Sequence, residues 1–439
     1  KALKEREVLL RAAPHIIWPM RFVLPVDEGM RPAWLLRLGL FLYDHLGGRD
    51  ILPGTKSVNL LKDHRGDPLQ ERLKKGFAYS DCWVEDARLV SLTARDAADR
   101  GADIRTRAEC VALDRGADHW NLEIRKDGET KSEQARVLVN AAGPWVDPVT
   151  AMYDHSSHAA KLRLVKGSHI VVKRKYEGEH SYIFQNRDGR IVFAIPYEGD
   201  HTLIGTTDEP WSYAEGPAKI NDGEIDYLCD AASEYFEAPV TRDDIIWTYS
   251  GVRPLFDDHS RTAATVTRDF VFDYDIEKGA PVLSIFGGKI TTYRVLALQA
   301  IRTLSEALDV NGDDWTKEAH LPGGDFSPDG FEELVDQYAS KWPFVEKSVV
   351  HRLVRAYGTD TACILKDVKN IADLGQLFGS GLYEIEIQWL IDREFACTAE
   401  DVLWRRSKLG LHMSDAEKQA VEQWFDEQKQ RPKPNRALS

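Results

Sequence analysis

The patterning of this 439-residue chain calls for an α/β body followed by an all-α C-terminal region. Three features carry that expectation. Apolar runs of strand length end at glycine or small residues and hand over to helical spacing, as Pro281-Val-Leu-Ser-Ile-Phe286 does before Gly287-Gly288-Lys289. Short strand-like runs with polar turns recur from Ile104 to Phe286. Beyond Leu321-Pro-Gly-Gly-Asp-Phe-Ser-Pro-Asp-Gly330, a linker by composition, no strand-like run of length remains. The length exceeds one ordinary core, so two or three domains are expected.

Taken in order, the chain opens as if inside a helix, with Leu3, Val8 and Leu9 apolar and no N-cap ahead of them. The stretch 31–43 is very apolar, carries Trp34 and Tyr43, and is punctuated by Arg31 and Arg37. It reads either as a buried core helix or as a helix lying in a membrane interface, with aromatics at headgroup depth and arginines on anionic lipid. Strands are expected at 108–113 and 120–125, and a hairpin turn at Asp127-Gly128 leads towards 136–140. Val137-Leu138-Val139 reads as a buried strand running into Asn140-Ala-Ala-Gly-Pro-Trp145. Further strands are expected at 169–172, 190–195 and 202–204, the last two joined across Glu198-Gly199-Asp200. Ile225, Leu228, Cys229, Ala232, Tyr235 and Phe236 predict an amphipathic helix over 224–236. Strands return at 265–274 and 282–286, and Ala297, Ile301, Leu304 and Leu308 mark the helix after Gly288. C-terminal helices are expected at 331–339, 344–357, 383–394 and 416–428, with a polar, frayed tail from Lys429.

Composition narrows the function. A net charge of −14 argues against a nucleic-acid binder. Cys82, Cys110, Cys229, Cys363 and Cys397 are scattered, with no CxxC, so neither a zinc ribbon nor a disulfide framework is expected. No metal site is called, and reduced thiols fit a cytosolic compartment. No apolar run reaches the ~18 residues of a spanning helix.

The chemistry concentrates at strand ends. Gly287 and Gly288 let a flat ring or a phosphate approach the main chain. Thr291 or Thr292 can cap the following helix, whose N-terminus offers free N–H groups and partial positive charge, and Lys289 adds a full charge. Such a cluster suits a group that becomes anionic during reaction, or a phosphate. Arg253, between a Gly-Val pair and Pro254, is a stiffly held grip for phosphate or carboxylate. Lys166-Gly-Ser-His169 offers an imidazole at a strand entry, and Ile204-Gly-Thr-Thr-Asp208 is another glycine-polar strand end.

Together the stretches Asp81-Cys-Trp-Val-Glu-Asp-Ala-Arg-Leu89, Val139-Asn-Ala-Ala-Gly-Pro-Trp145, Val165-Lys-Gly-Ser-His-Ile170, Ile204-Gly-Thr-Thr-Asp208, Thr248-Tyr-Ser-Gly-Val-Arg-Pro-Leu255 and Phe286-Gly-Gly-Lys-Ile-Thr-Thr-Tyr-Arg294 resemble the FAD-dependent, respiratory glycerol-3-phosphate dehydrogenases. The resemblance runs from Ala2 to about Gln430. It implies a FAD-binding domain of the glutathione-reductase and D-amino-acid-oxidase type, a mixed β-sheet domain over the substrate, and an all-α C-terminal domain. The boundaries expected are 1–145 for the FAD-binding domain, 146–275 for the β-rich domain, 276–320 for the return to the FAD-binding domain, and 321–439 for the helical domain.

On that resemblance Gly287, Gly288, Lys289 and Ile290 lie along the flavin, while Asn140, Ala142, Gly143 and Trp145 form a strand end beside it. Ala108 is an adenine-side backbone contact. Arg253 binds the substrate, flanked by Thr292 and Tyr293, and His169 and Lys289 join Arg253 as catalytic candidates. The implied reaction oxidises sn-glycerol 3-phosphate to dihydroxyacetone phosphate and passes electrons to a membrane quinone. The implied place is the cytoplasmic face of a membrane, or the cytoplasm, with lipid met through 34–43 and a homodimer left open.

The chain departs from that family in lacking any GxGxxG turn. With the capless start, this suggests a piece of a longer protein missing roughly 60–70 residues. Two alternatives stay open: an oxidase of the same family that reduces O₂, and a cofactor-free, non-catalytic fragment.

Overall fold

The computed structural model describes residues 2–27, 32–46, 51–154, 162–256, 269–310 and 312–430. The chain divides into two compact units. One comprises the segment up to Arg6, Met20–Asp81 and Arg107–Trp315; the other comprises Glu7–Pro19, Cys82–Thr106 and the chain from Thr316 onward.

The first unit is built on a nine-stranded mixed sheet. Its longest strands, Leu162–Lys173 and Ile245–Phe256, pair antiparallel along their length, and His201–Gly205 and Glu209–Pro210 share the other edge of Leu162–Lys173. The sheet continues through Ile191–Tyr197 and Ser181–Gln185 to Ile17–Val26, which joins in parallel. The helix Asp222–Ser233 covers one face, where Ile170, Val172, Tyr182, Phe184, Leu228 and Phe236 form a core. The helix starts at Asn221, whose side chain accepts from Glu224 N while Glu224 returns a bond to Asn221 N, a reciprocal cap.

Two three-stranded sheets complete this unit. Glu109–Arg115, Trp120–Lys126 and Glu129–Ala135 form a meander whose second turn is Asp127-Gly128, with φ of 53° and 84°. Positive φ at both positions matches the twist of the flanking strands, which is why Asp-Gly serves there. In the other sheet Val282–Gly287 lies antiparallel to Phe270–Asp275 and parallel to Leu138–Asn140. The turn Ile290–Thr292 and the helix Tyr293–Leu308 follow. Of the strand expected at 265–274, residues 265–268 lie outside the described residues.

Two expectations on packing are corrected. Leu138–Asn140 is not a buried strand: Val139 is exposed, and the buried member is Asn140. Nor is the apolar stretch near the start a core helix. Ala33–Leu46 is a helix in which only Leu36 is buried, while Trp34 (69% exposed), Leu38, Phe41, Leu42 and Leu46 face outward. Tyr43 points inward instead, donating to Asp81 at 2.8 Å and accepting from Arg6 at 2.9 Å. Arg31 lies outside the described residues, and Arg37 donates to Ser57 Oγ at 2.7 Å. Among the described residues no helix is long and apolar enough to cross a membrane.

The second unit is largely helical, with Asp86–Asp99, Phe331–Lys341, Lys347–Tyr357, Glu384–Glu394 and Asp415–Gln430 among its helices. The last helix carries Lys429, so the fray expected from that residue does not begin there; 431–439 lie outside the described residues. Val335, Val350, Val354, Leu365, Leu382, Ile387 and Leu390 are fully enclosed in the core. Gly358 stands at φ 55°, and a Cβ there would overlap the carbonyl of Gly323, so only glycine fits.

Burial gives the fold a pH dependence. It holds the imidazoles of His169 and His180 down at about 4, and those of His15 and His351 also below the ordinary range, helped by nearby arginines. Each therefore binds a proton more readily in the unfolded chain, so its contribution is fully present above about pH 6.5 and declines as pH falls below that, for His169 and His180 towards about 4. Burial pushes the Glu85 carboxyl up, which opposes them over part of that window. Four groups against one leave a net loss. The thermal midpoint is expected to be level from about pH 8 to 6.5 and to fall between about 6.5 and 4.5. A midpoint that rises on acidification, measured by scanning calorimetry, would contradict this.

Candidate active site

The pairing of Leu162–Lys173 with its neighbours gathers the polar residues on one face. His169 lies opposite Tyr249 on one side and Gly205 on the other, and Arg253 lies opposite Val165. Side chains alternate along a strand, so Val165, Gly167 and His169 share a face with Tyr249, Gly251 and Arg253. The His169 ring stacks on Tyr249 with centroids 4.8 Å apart and planes within 6°. Gly205 makes room for it, since a Cβ there would lie 2.6 Å from His169 Cγ. His169 is half-buried, and its Nδ1 is shut off from solvent without a hydrogen-bond partner. Desolvation, then the neighbouring Arg253 charge, lowers its pKa to about 4, so the imidazole is neutral near pH 7.

Arg253 is fixed on three sides. Its guanidinium donates to Thr206 Oγ1 at 2.8 Å and to the Thr207 carbonyl at 3.3 Å, and it ion-pairs with Asp208. Gly167 leaves the space for it: a Cβ there would overlap Arg253 Nη2. The glycine-polar strand end at 204–208 is thus the cradle of the arginine.

The Gly-Gly-Lys turn stands beside the same strand. Gly287 and Gly288 have φ of 71° and 99°, and a Cβ on Gly287 would meet the carbonyls of Asp269 at 3.2 Å and Pro254 at 3.6 Å. Both positions therefore favour glycine by conformation, and at Gly287 the nearby Asp269 carbonyl adds to that. Lys289 and Ile290 are exposed. Thr292 occupies the N-cap position of Tyr293–Leu308, but its hydroxyl donates back to the Lys289 carbonyl at 3.0 Å. This corrects the capping expectation: among the described residues no side chain caps that helix, and the turn Ile290–Thr292 leads into it, Tyr293 N donating to the Ile290 carbonyl. Tyr293, half-buried, opens the helix, and Arg294 next to it forks onto Glu5 through two bonds of 2.8 Å.

Asn140, at the end of the strand paired with Val282–Gly287, holds the turn that follows. Its amide donates to the Val146 carbonyl at 2.9 Å, and its oxygen accepts from Ala142 N at 3.4 Å. Gly143 follows at φ 58°, and Trp145 is 56% exposed. Tyr213, just past the arginine cradle, donates to the Pro144 carbonyl, which brings this turn to the same region. Ala108 is half-buried just ahead of Glu109–Arg115, and no bond among the described residues draws it into the group.

Sequence reasoning did not single out Tyr249, Gly205, Gly167, Thr206 or Asp208 as partners of His169 and Arg253. The signal for them is strand register, which a single sequence does not print. The site as built offers a fixed cation, a neutral imidazole, and two glycines with left-handed backbone just ahead of a helix start. That donor set fits a flat ring that gains negative charge, placed against the glycines, with an anionic substrate at Arg253.

The chain is similar to known proteins over nearly its whole length. Residues 1–294 match the FAD dependent oxidoreductase family, and residues 315–431 match the C-terminal domain of alpha-glycerophosphate oxidase. The chain is 47% identical over 428 residues to D-erythritol 1-phosphate dehydrogenase of Brucella abortus, covering 97% of this chain and 85% of that protein. It is 43% identical over 433 residues to aerobic glycerol-3-phosphate dehydrogenase of Escherichia coli, with the same coverage of 97% and 85%. The fold resembles the glycerol-3-phosphate dehydrogenase of Bacillus halodurans solved with FAD, at a TM-score of 0.80 and 25% identity, over 98% of this chain and 82% of that one.

Proposed function

The chain belongs to the FAD dependent oxidoreductase family, and on that premise we propose that it oxidises the C2 alcohol of sn-glycerol 3-phosphate to dihydroxyacetone phosphate. The observation that carries this reading is the pairing of a fixed guanidinium, Arg253, with a neutral imidazole, His169, on one face of the sheet beside Gly287. Arg253 holds the phosphate and so orients C2. His169, through Nε2, takes the proton of the C2 hydroxyl as the C2 hydrogen departs with its electron pair. FAD, when bound, supplies the acceptor for that hydride. Gly287, Gly288, Lys289 and Ile290, with the first turn of Tyr293–Leu308, would hold the ring, Lys289 offsetting its charge; Asn140, Ala142, Gly143, Trp145 and Ala108 would line the rest. Thr292 and Tyr293 would flank the substrate.

In this reading 1–145 and 276–320 form the cofactor domain, 146–275 covers the substrate, and 321–439 is the helical domain. Electrons go on to a quinone at the cytoplasmic face of a membrane, where the outward apolar face of Ala33–Leu46 rests on lipid. Replacing Trp34 and Phe41 together with serine is expected to cut co-sedimentation with anionic vesicles about tenfold. Equal sedimentation of variant and wild type would remove this contact.

The 47% identity to a D-erythritol 1-phosphate dehydrogenase favours a second reading, in which a longer polyol phosphate is the preferred substrate. Steady-state kcat/KM for both polyol phosphates, with a soluble quinone and with O₂ as acceptors, tests both. The first reading expects glycerol 3-phosphate and quinone to lead; a higher value with erythritol 1-phosphate supports the second, and O₂ leading would make the enzyme an oxidase.

A further inference from the structure

Behind the face that carries His169 and Arg253, the sheet encloses a carboxylate. Glu224, in the first turn of Asp222–Ser233, is 3% exposed. Its two oxygens have separate tasks. Oε2 pairs with Lys166 Nζ at 2.9 Å and accepts from Asn221 N at 2.9 Å, so it neutralises a buried lysine and closes the helix cap. Oε1 accepts from Ser168 Oγ at 2.8 Å and from Thr207 Oγ1 at 2.7 Å. Burial pushes this carboxyl up, but bonds from Thr207, Asn221, Lys166 and Ser168 outweigh that and hold it below its ordinary range, so it is ionised.

A buried ion pair needed only for charge balance would end at Lys166. The second oxygen instead reaches the two segments that build the site. Ser168 adjoins His169, and its hydroxyl also meets Ser250 Oγ at 2.8 Å, next to the Tyr249 on which His169 stacks. Thr207 Oγ1 also accepts from Ser168 N at 2.9 Å, which locks 206–208 against the strand. The Thr207 carbonyl, Thr206 Oγ1 and Asp208 are the partners of Arg253 among the described residues.

We propose that Glu224 is a positioning residue for the substrate's phosphate. Through the Thr207 hydroxyl it sets the backbone of 206–208, and that backbone sets the direction of the Arg253 guanidinium. The inference rests on the reading of Arg253 as the phosphate grip. Its consequence is a division of labour across one sheet: the face towards the substrate carries the reacting groups, and the face towards Asp222–Ser233 carries the charge that aims them.

The test uses the FAD-loaded protein. Two quantities are measured: the dissociation constant of dihydroxyacetone phosphate by calorimetry, and the glycerol 3-phosphate concentration for half-maximal anaerobic flavin reduction. Thr207→Val keeps the shape and loses the hydroxyl; it is expected to raise both about tenfold, with a smaller change in the limiting reduction rate. Thr207→Ser, which restores the hydroxyl, is expected to return both to within about twofold of wild type, and Glu224→Gln to fall between the two. Values for Thr207→Val equal to wild type overturn the proposal. So do equal losses in Thr207→Val and Thr207→Ser, because they assign the effect to the methyl group. Arg253→Met separates the two levels. If it raises both quantities while Thr207→Val does not, the positioning role alone fails; if it raises neither, the phosphate grip itself is wrong.

Discussion

Replacing Arg253 with methionine is expected to raise the half-saturating concentration of glycerol 3-phosphate by about two orders of magnitude, ~3 kcal/mol. Methionine keeps much of the apolar stem and removes the guanidinium, so the loss reads the charged contact rather than packing. The effect should be large because the cation is already held by Thr206, the Thr207 carbonyl and Asp208, and spends little conformational freedom on binding. Removing it also leaves the Asp208 carboxylate unpaired beside an incoming phosphate. Arg253→Lys should recover about tenfold of the loss, since a point charge cannot keep the fork that reaches both Thr206 and Asp208. Stopped-flow reduction of the bound flavin separates half-saturation from limiting rate. An unchanged half-saturation in Arg253→Met would remove the arginine from substrate binding.

The largest loss of stability is expected in the helical unit. Arg88 and Glu394 form a forked ion pair there, with Nη2 donating to Oε1 at 2.9 Å, and Glu394 is wholly enclosed. The guanidinium also donates to the Ala356 carbonyl at 2.8 Å and lies 4.9 Å from the Tyr357 ring centroid. Glu394→Ala strands a buried cation, which should cost about 3–5 kcal/mol. The double variant Arg88→Met with Glu394→Leu should recover most of that, because a well-packed apolar pair carries no desolvation cost. Urea unfolding followed by tryptophan fluorescence measures both. If the double variant is no more stable than the single, the stranded charge is not the cause.

Local chemistry made much of the architecture readable from residues alone. The helix marked by Ala297 to Leu308 and the strand marked by Val282 to Phe286 both form, the strand buried at every one of those positions. On the helix Leu304 is buried while Ala297 and Ile301 are exposed, so the spacing marks the helix without marking its covered face. The Asp127-Gly128 hairpin is legible because two positive φ values admit few residue types. Glu129–Ala135 was not legible: its seven residues, ETKSEQA, are mostly exposed, and backbone pairing to Trp120–Lys126 holds it with little apolar signal. Ala33–Leu46 misleads in the opposite sense, since its sequence is as apolar as a core helix and nothing local records which face is covered.

The candidate site divides in the same way. His169, Arg253 and the glycines at 287 and 288 announce themselves by residue type next to strand ends. What joins them is register: Gly205 opposite His169, Tyr249 opposite it on the other side, and Gly167 beneath Arg253. Glu224 reads in sequence as an ordinary helix-start carboxylate, and its second oxygen becomes meaningful only once Thr207 is brought to it. Resemblance to the glycerol-3-phosphate dehydrogenases supplied the FAD cofactor, which spacing alone left as a ring or a phosphate.

The most direct measurement is the visible spectrum of the FAD-loaded protein before and after anaerobic addition of sn-glycerol 3-phosphate. The expected result is a yellow protein that bleaches on addition, while a His169→Asn variant stays yellow on the same timescale and still binds dihydroxyacetone phosphate. A wild-type protein that keeps its flavin band through the addition would contradict the proposed reaction, and bleaching of His169→Asn at the wild-type rate would remove the imidazole as the base.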